Sequence, residues 1–504
     1  NQVPDNSPPA DGWPESGYQG DEVQVFDYAM DPEVVNDPDY AEIIDDALLA
    51  IPTVSIVTPV ENLTHPSSGI YRNALQQGHA WERPASVELI QPDGSRGFQV
   101  DAGVRIRGGA SRRWYNPKHS FRIFFREEYG YAKLRFPLFD DEGASEFDKI
   151  DFRTSQQYSW SQWWETGHMA TFNRDVFNRD TQRDMGQPYT RSRYYHLYLN
   201  GIYWGMFQTQ ERGEARYAAT YYGGTKEDYD VIKVDSGPGH PYSVEATDGT
   251  LDAWYRVWDQ ASAGLSTDAA YYQIQGLNTD GTNNPDYENL VDVDNLIDYI
   301  LIIFYGGNLD SPITWYGQNK FPNNFYTFYN RNNPDGFKSL IHDSEHTLLR
   351  GEVHGQFDEL YRDRTGPFPC GYLQHRSNPQ WVHQQLVSHP DYVMEFADRV
   401  HRHFFNGGLL TPSVAEARFM TRANQIESAV IAESARWGDF LESYYEYAFL
   451  RTRNDHWLPA INNIRDSYFP YRTQIVLEQL KGQGWYPAVQ APIFFMNGSY
   501  QHGG

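Results

Sequence analysis

The sequence predicts an α+β protein, and three observations carry that reading. The first half repeats short runs of alternating apolar and polar residues, separated by Gly, Pro, Asn and Asp turns. From about residue 285 the spacing of apolar residues becomes helical over much longer segments. One turn-separated pair of strand-like runs at 323–343 interrupts that helical half, and no internal repeat is visible. Of 504 residues, 40% are hydrophobic and 16% aromatic, enough to bury a sizeable core.

Taken in order, residues 1–50 begin rich in Pro, Asp, Asn and Gly and read as a leader that wraps the domain or links it to something upstream. PTVSIVTP (52–59) is the first strand. ASVELIQPDGSRGFQVDAGVRIRG (85–108) alternates around a PDG turn and predicts a hairpin. In HSFRIFF (119–125), Phe121, Ile123 and Phe125 face one way while Arg122 and Phe124 face the other. NRDVFNRDTQRDMG (173–186) predicts a helix with Val176 and Phe177 inward and Gly186 as its stop. TRSRYYHLYLNGIYWGMFQTQ (190–210) predicts a second hairpin on a type I′ turn at Asn200-Gly201. LIDYILIIFYGG (296–307) is too short to span a bilayer and is interrupted by Asp298, so it reads as a buried helix. Further helices are expected within 378–406, 412–448 and 454–481. The organisation that results is a leader at 1–50, a β-rich part at 51–215 and a helical part at 216–486. Residues 487–504, with APIFFMNGSYQHGG, read as the start of a truncated β-domain or a tail.

Charge narrows the function. With 67 acidic against 41 basic residues, a net of −26, the chain would be repelled by nucleic acid and by anionic membranes. The single Cys370 allows no intramolecular disulfide. Acidity, abundant Tyr and Trp and a polar leader point to a secreted or cell-surface protein, and the acidic surface suits a Lys/Arg- and Ser-rich protein partner. Against this background, RIRGGASRRWYNPKHSFRIFFR (105–126) gathers seven Lys or Arg and no acid. Arg105 and Arg107 share a strand face, the Gly-Gly-Ala-Ser turn ending at Ser111 leaves backbone amides free, and Lys118 and Arg122 follow. A hairpin tip so equipped can hold phosphate oxygens; equally, it can be a solvated basic edge that discourages strand pairing.

A second constellation lies in the helical half: Asn308-Leu-Asp310, then Asn323-Asn324, then His342-Asp343-Ser-Glu345. Asn and Asp oxygens on adjacent strands suit Mg²⁺, and an Asp on a nearby loop can accept a hydroxyl proton, the set that phosphoryl transfer needs. Asx residues in loops also cap and turn the backbone, their commonest role. HDSEH (342–346) matches the H-x-x-E-H zinc pattern, but it follows a PDG turn and a strand instead of lying on a helix. Trp160, Trp163 and Trp164 in WSQWW read as core or groove wall, ahead of a sugar platform.

VRIRGGASRRWYNPKHSFRIFFREEYG followed by LRFPLF resembles the N-terminal signature of the CotH (spore-coat protein H) kinase family. RDVFNRDTQRDMGQPYTRSRYYHLYLNGIYWGMFQTQERGEARYA is similar to its central block, NLDSP…NNFYTFYNRNNPDGFKSLIHDSEH to its active-site block, and WLPAINNIRDSYFPYRTQIVLEQLKGQGWYP to the terminal helices of large secreted members. The resemblance implies an atypical protein-kinase-like fold, a β-rich lobe and a helical lobe, with ATP and Mg²⁺ or Mn²⁺ between them. It also implies phosphorylation of Ser or Thr in extracellular or coat proteins. Residue by residue, it makes Lys118 the phosphate-contacting Lys, Asp310 the catalytic Asp, Asn324 the metal-binding Asn and Asp343 the metal-binding Asp at the strand end. It places Arg107 in the RG turn beside the phosphates, and Glu211 and Arg212 where the lobes join. Two departures stand out. SPITWYGQNKFPN lengthens the loop after Asp310, which leaves Asn323 and Asn324 both open as metal ligand. HDSEH also departs from the aromatic residue that many relatives carry before the Asp. Two other readings stay in play: a non-catalytic scaffold or carbohydrate-associated surface protein that keeps the fold, and a zinc hydrolase that uses HDSEH.

Overall fold

A computed structural model describes residues 8–9, 11–19, 22–162, 167, 169–237, 240–351, 358–443, 449–489, 494–496 and 499–501. Seven strands of the first half form β1 (Thr53–Val57), β2 (Arg83–Ile90), β3 (Gln99–Arg107), β4 (Ser120–Phe124), β5 (Lys149–Arg153), β6 (Ser192–Leu199) and β7 (Ile202–Gln210). They close into a barrel in the order β6-β7-β5-β4-β3-β2-β1, with β1 running parallel to β6 and every other pair antiparallel. The alternation dictates which side is core: Val100, Ala102, Val104 and Ile106 of β3, Phe121 and Ile123 of β4, and Ile150 and Phe152 of β5 fill the interior. The polar partners of these residues therefore share the outer face.

Helix α1 (Arg174–Asp184) lies between β5 and β6 and buries Val176 and Phe177, with Gly186 at φ 79° beyond its end. Asn200 (φ 51°) and Gly201 (φ 83°) make the expected left-handed turn between β6 and β7. After α2 (Ala215–Tyr222), the strands β8 (Tyr229–Gly237) and β9 (His240–Asp248) form a hairpin absent from the sequence reading. That hairpin pairs with β10 (Phe325–Asn330) and β11 (Lys338–Ile341) as the sheet β9-β8-β10-β11.

Between β9 and β10, helix α3 (Val293–Gly306) is buried over nearly its whole length, capped by Asp292 and ended by Gly307 at φ 62°. Its one buried acid, Asp298, accepts from Arg399 at 2.8 and 2.6 Å and from Gln187 at 2.7 Å. The helices that follow are α4 (Pro379–Leu386), α5 (Pro390–Phe404), α6 (Pro412–Ile426), α7 (Ala429–Trp437), α8 (Leu458–Ser467) and α9 (Phe469–Gln483); α4, α5 and α9 pack on α3, and α6 and α8 pack on α9. Among the described residues no helix is long and apolar enough to cross a membrane.

Helix α7 leaves the helical part to pack against β7, and the leader packs on α7 in turn. The Asp31 amide donates to the Ala435 carbonyl at 2.6 Å, and Asp27 pairs with Arg436 at 3.1 Å. Trp160 is core, packed against Phe172, while Trp163 and Trp164 lie outside the described residues. Residues 494–496 and 499–501 pair as a terminal hairpin.

Candidate active site

The outer face of β3, β4, β5 and β7 carries two rows of polar side chains fixed by register. Arg105, Arg122, Asp151 and Gln210 stand opposite one another in one row; Arg107 faces Ser120 and Arg153 faces Gln208 in the next. Arg122 grips Asp151 with two hydrogen bonds, at 2.5 and 2.8 Å, and Arg107 Nε lies 3.1 Å from the same carboxylate. Burial opposes ionisation of Asp151, yet Arg122 and Arg107 hold its carboxyl far below the usual range. One carboxylate is thus shared between two guanidiniums. Arg107 Nη1 is enclosed without any hydrogen-bond partner, and burial pushes the group down to about 10. Gly108 makes the turn at φ 105°, where a side chain would run into Ser111 Oγ. Ser111 itself is buried and donates to the Arg107 carbonyl at 3.3 Å, so it braces the turn and does not reach the outer face.

Arg153 ties this face to α1 and to the loop after β11. Its Nη2 pairs with Asp343 and, at 3.1 Å, with Glu345; its Nη1 reaches Gln210 at 3.3 Å and Asp175 at 3.4 Å. Asp343 closes strand β11 with a left-handed backbone (φ 51°), and Asn324 precedes β10 in the same conformation (φ 48°). Asx residues tolerate that region, which explains why they occupy these strand ends.

Asp310 sits beyond α3, where its amide donates to Asn308 Oδ1 at 2.8 Å and Asn308 in turn donates to Ser344 Oγ at 2.7 Å. Asn324 Nδ2 donates to Asp310 Oδ2 at 2.9 Å, and Thr314 Oγ1 donates to Oδ1 in a short contact. Asn323 also helps to lower the Asp310 carboxyl, but the side-chain hydrogen bond comes from Asn324. Giving its nitrogen to Asp310 leaves the Asn324 side-chain oxygen as an acceptor; Asp343, 24% exposed, follows the strand paired with the one Asn324 precedes. That donor set fits a hard divalent cation. Burial raises the Asp310 carboxyl, partly offset by His346, Thr314 and Asn323. Burial would raise Asp343 too, but Arg153, His342 and Arg107 hold it below its usual value. Arg107 influences the ionisation of Asp343, and Asp343 that of Asp310, so the basic hairpin and the carboxylates are electrostatic neighbours.

Lys118 does not join them, a correction to its expected place beside the phosphates. Its Nζ pairs with Glu433 of α7 and donates to the Met206 carbonyl at 2.8 Å, with the two side chains 2% and 0% exposed. The fully spaced chain path brings a C-terminal acid to this lysine, which no local pattern announces. Glu211 is likewise tied internally, to Arg191 at 2.9 Å and to the Tyr221 hydroxyl, although it lines a cavity of about 500 Å³ beside the cationic face. Phe124, Phe147, Tyr217 and Tyr221 supply apolar and aromatic wall there, with Arg212 at the end nearest Asp151.

HDSEH is not helical: it follows β11 as a loop, and His346 Nδ1 is engaged by the hydroxyls of Tyr158 at 2.9 Å and Tyr316 at 3.1 Å. Among the described residues the one His/acid triple at metal-ligand spacing is His79, Glu82 and Glu128, where Glu82 is already paired with Arg105 at 2.5 Å and Arg126 at 2.9 Å. Sequence reasoning missed Asp151, Arg153 and Thr314. The first two were visible as the polar alternates of Ile150 and Phe152; Thr314 had no signal.

A family model described as CotH kinase protein matches residues 104–466. No curated protein matches the chain.

Proposed function

Since the chain belongs to the CotH kinase family, we propose that it transfers a phosphoryl group from ATP to Ser or Thr hydroxyls of a secreted or cell-surface protein. The observation that carries this reading is the imbalance in the cleft. Arg107 and Arg122 share Asp151, Arg107 keeps an unpaired N–H, and the partly exposed Asp343 is its electrostatic neighbour. A bound polyanion would supply further acceptors for these guanidinium groups. The arrangement supports a protein-kinase-like pair of lobes, barrel against helices, with the nucleotide between them.

In this reading Arg107 and Arg122 bind phosphate oxygens and Arg153 holds Asp343 in place. The adjoining 500 Å³ cavity, with Phe124, Tyr217 and Tyr221 in its wall, accepts the base. Asp343 and Asn324 would hold Mg²⁺ or Mn²⁺, which neutralises phosphate charge when bound. Asp310, fixed by Asn324 and Thr314, orients the acceptor hydroxyl and takes its proton. A net charge of −26 draws in Lys/Arg-rich acceptors.

The test is transfer of label from γ-labelled ATP with Mg²⁺ to the protein itself and to a basic, Ser-rich protein. Asp310→Asn and Asp343→Asn should remove it. A folded wild type that neither binds ATP calorimetrically nor transfers label would replace this reading with a non-catalytic scaffold.

A further inference from the structure

Behind the face that carries Arg153, helix α1 opens into a small cavity that the phosphotransfer reading does not use. Its wall includes Arg153, Thr171, Asn173, Arg174, Asp175 and Glu345. Asn173 is the N-cap of α1, but its side chain makes no capping bond; its Nδ2 donates instead to the Phe419 carbonyl at 3.2 Å. The positive end of the helix therefore faces the cavity without a side-chain acceptor.

Arg174 is the anomaly. It is 4% exposed, its Nε and Nη1 are enclosed without hydrogen-bond partners, and among the described residues no carboxylate pairs with it. Its one aromatic contact is the Tyr158 ring at 5.0 Å. A buried guanidinium in this state is strongly disfavoured unless something else meets its N–H groups. Two more donors in the same wall are unpartnered, Arg153 Nε and the hydroxyl of the fully buried Thr171. The two acids in the wall are already committed, and Glu359, which also influences Arg174, does not line the cavity. Asp175 accepts from Arg179 at 2.8 Å and from the Ser344 amide at 2.7 Å, and Glu345 accepts from Arg153 at 3.1 Å. The sole unpartnered acceptor in the wall is Asn173 Oδ1.

We propose that this cavity binds a small monovalent inorganic anion of halide size, held by Arg174, Thr171 and the N-terminus of α1. Donors outnumber acceptors, which favours an anion over water. The cavity has room for about one water-sized species, which excludes phosphate or sulfate. The bound ion would brace Arg153 Nε, and through Arg153 the position of Asp343. None of this requires that the chain be a kinase.

The test uses the full chain crystallised with bromide in place of chloride, together with melting temperatures in chloride and in gluconate at equal ionic strength. An anomalous peak beside Arg174 and Thr171 is expected, with a higher melting temperature in chloride. Thr171→Val, which removes a hydroxyl bonded to nothing else, should raise the halide concentration for the half-maximal shift about tenfold. Arg174→Met should abolish the dependence. Absence of the bromide peak, with equal melting temperatures in the two salts, would overturn the proposal and leave a water-filled cavity.

Discussion

Two ion pairs join the barrel to distant parts of the chain, and they are built in opposite ways. Lys118 and Glu433, 315 residues apart, are sealed and mutually satisfied: Glu433 also accepts the Met206 amide at 2.7 Å while Lys118 donates to the Met206 carbonyl. Arg153 and Asp343, 190 residues apart, are neighbours of Arg107, whose Nη1 has no hydrogen-bond partner, and Asp343 still meets solvent. A closed pair with every lone pair used specifies a fold. A half-open centre with an unpaired N–H nearby is poised for a ligand. The count of positive charges in residues 105–126 does not distinguish the two; only the partners do.

Breaking the open centre should have the larger effect on chemistry. Asp310→Asn keeps both hydrogen-bonding neighbours but cannot take a proton, so transfer should fall by about 10²- to 10⁴-fold with an unchanged melting temperature. Breaking the closed pair should act on stability instead. Lys118→Met leaves Glu433 buried and unpaired and should cost about 3–5 kcal/mol, while Lys118→Met with Glu433→Leu should recover most of it. Transfer measured on the double variant, at a temperature where it is folded, should stay within a few-fold of wild type. A folded but inactive double variant would return Lys118 to the nucleotide site.

The same contrast marks what could be read beforehand. The β3 and β4 strands, the α1 helix with Val176 and Phe177 inward, the Asn200-Gly201 turn and the β10–β11 hairpin are all local patterns, and all are found. So is the joining of Asp310 and Asn324, which follows from a strand start adjacent to a helix end. The β8–β9 hairpin was overlooked although YDVIKV alternates ahead of a Gly-Pro-Gly turn. Lys118 was misplaced for a deeper reason: its partner comes from α7, and nothing near either residue encodes a meeting across 315 positions. Arg153 had the same obstacle, since four of its partners come from α1, β7 and the loop after β11.

Within the open centre, Thr314 offers a finer test. Its hydroxyl holds Asp310 Oδ1 from a loop that is itself pinned by the Trp315 amide on the Leu309 carbonyl at 2.7 Å. Thr314→Val removes that one bond at equal volume. It should lower the maximal rate about tenfold while the acceptor KM stays within twofold, because the loss is of orientation and not of binding.

The smallest effect is on pH dependence, and it concerns an acid that belongs to neither pair. Glu359 is fully buried, both its carboxylate oxygens lack hydrogen-bond partners, and burial raises it well above the usual value despite Arg362 and Arg174. The folded state therefore holds this proton more tightly than the unfolded chain, whose Glu titrates near about 4.3. Between that value and the raised one, stability falls as pH rises, by at most about 1.4 kcal/mol per pH unit for one group. Asp343 and Asp175 have the opposite sign, since their lowered values withdraw stability only as pH drops below the ordinary Asp range. Glu359→Gln should thus leave the melting temperature near pH 5 little changed, raise it at pH 8 and flatten the slope between. If the variant is instead less stable at pH 8, Glu359 is ionised in the fold and serves as the counterion of Arg174, and the anion cavity behind Arg153 loses its reason to be filled.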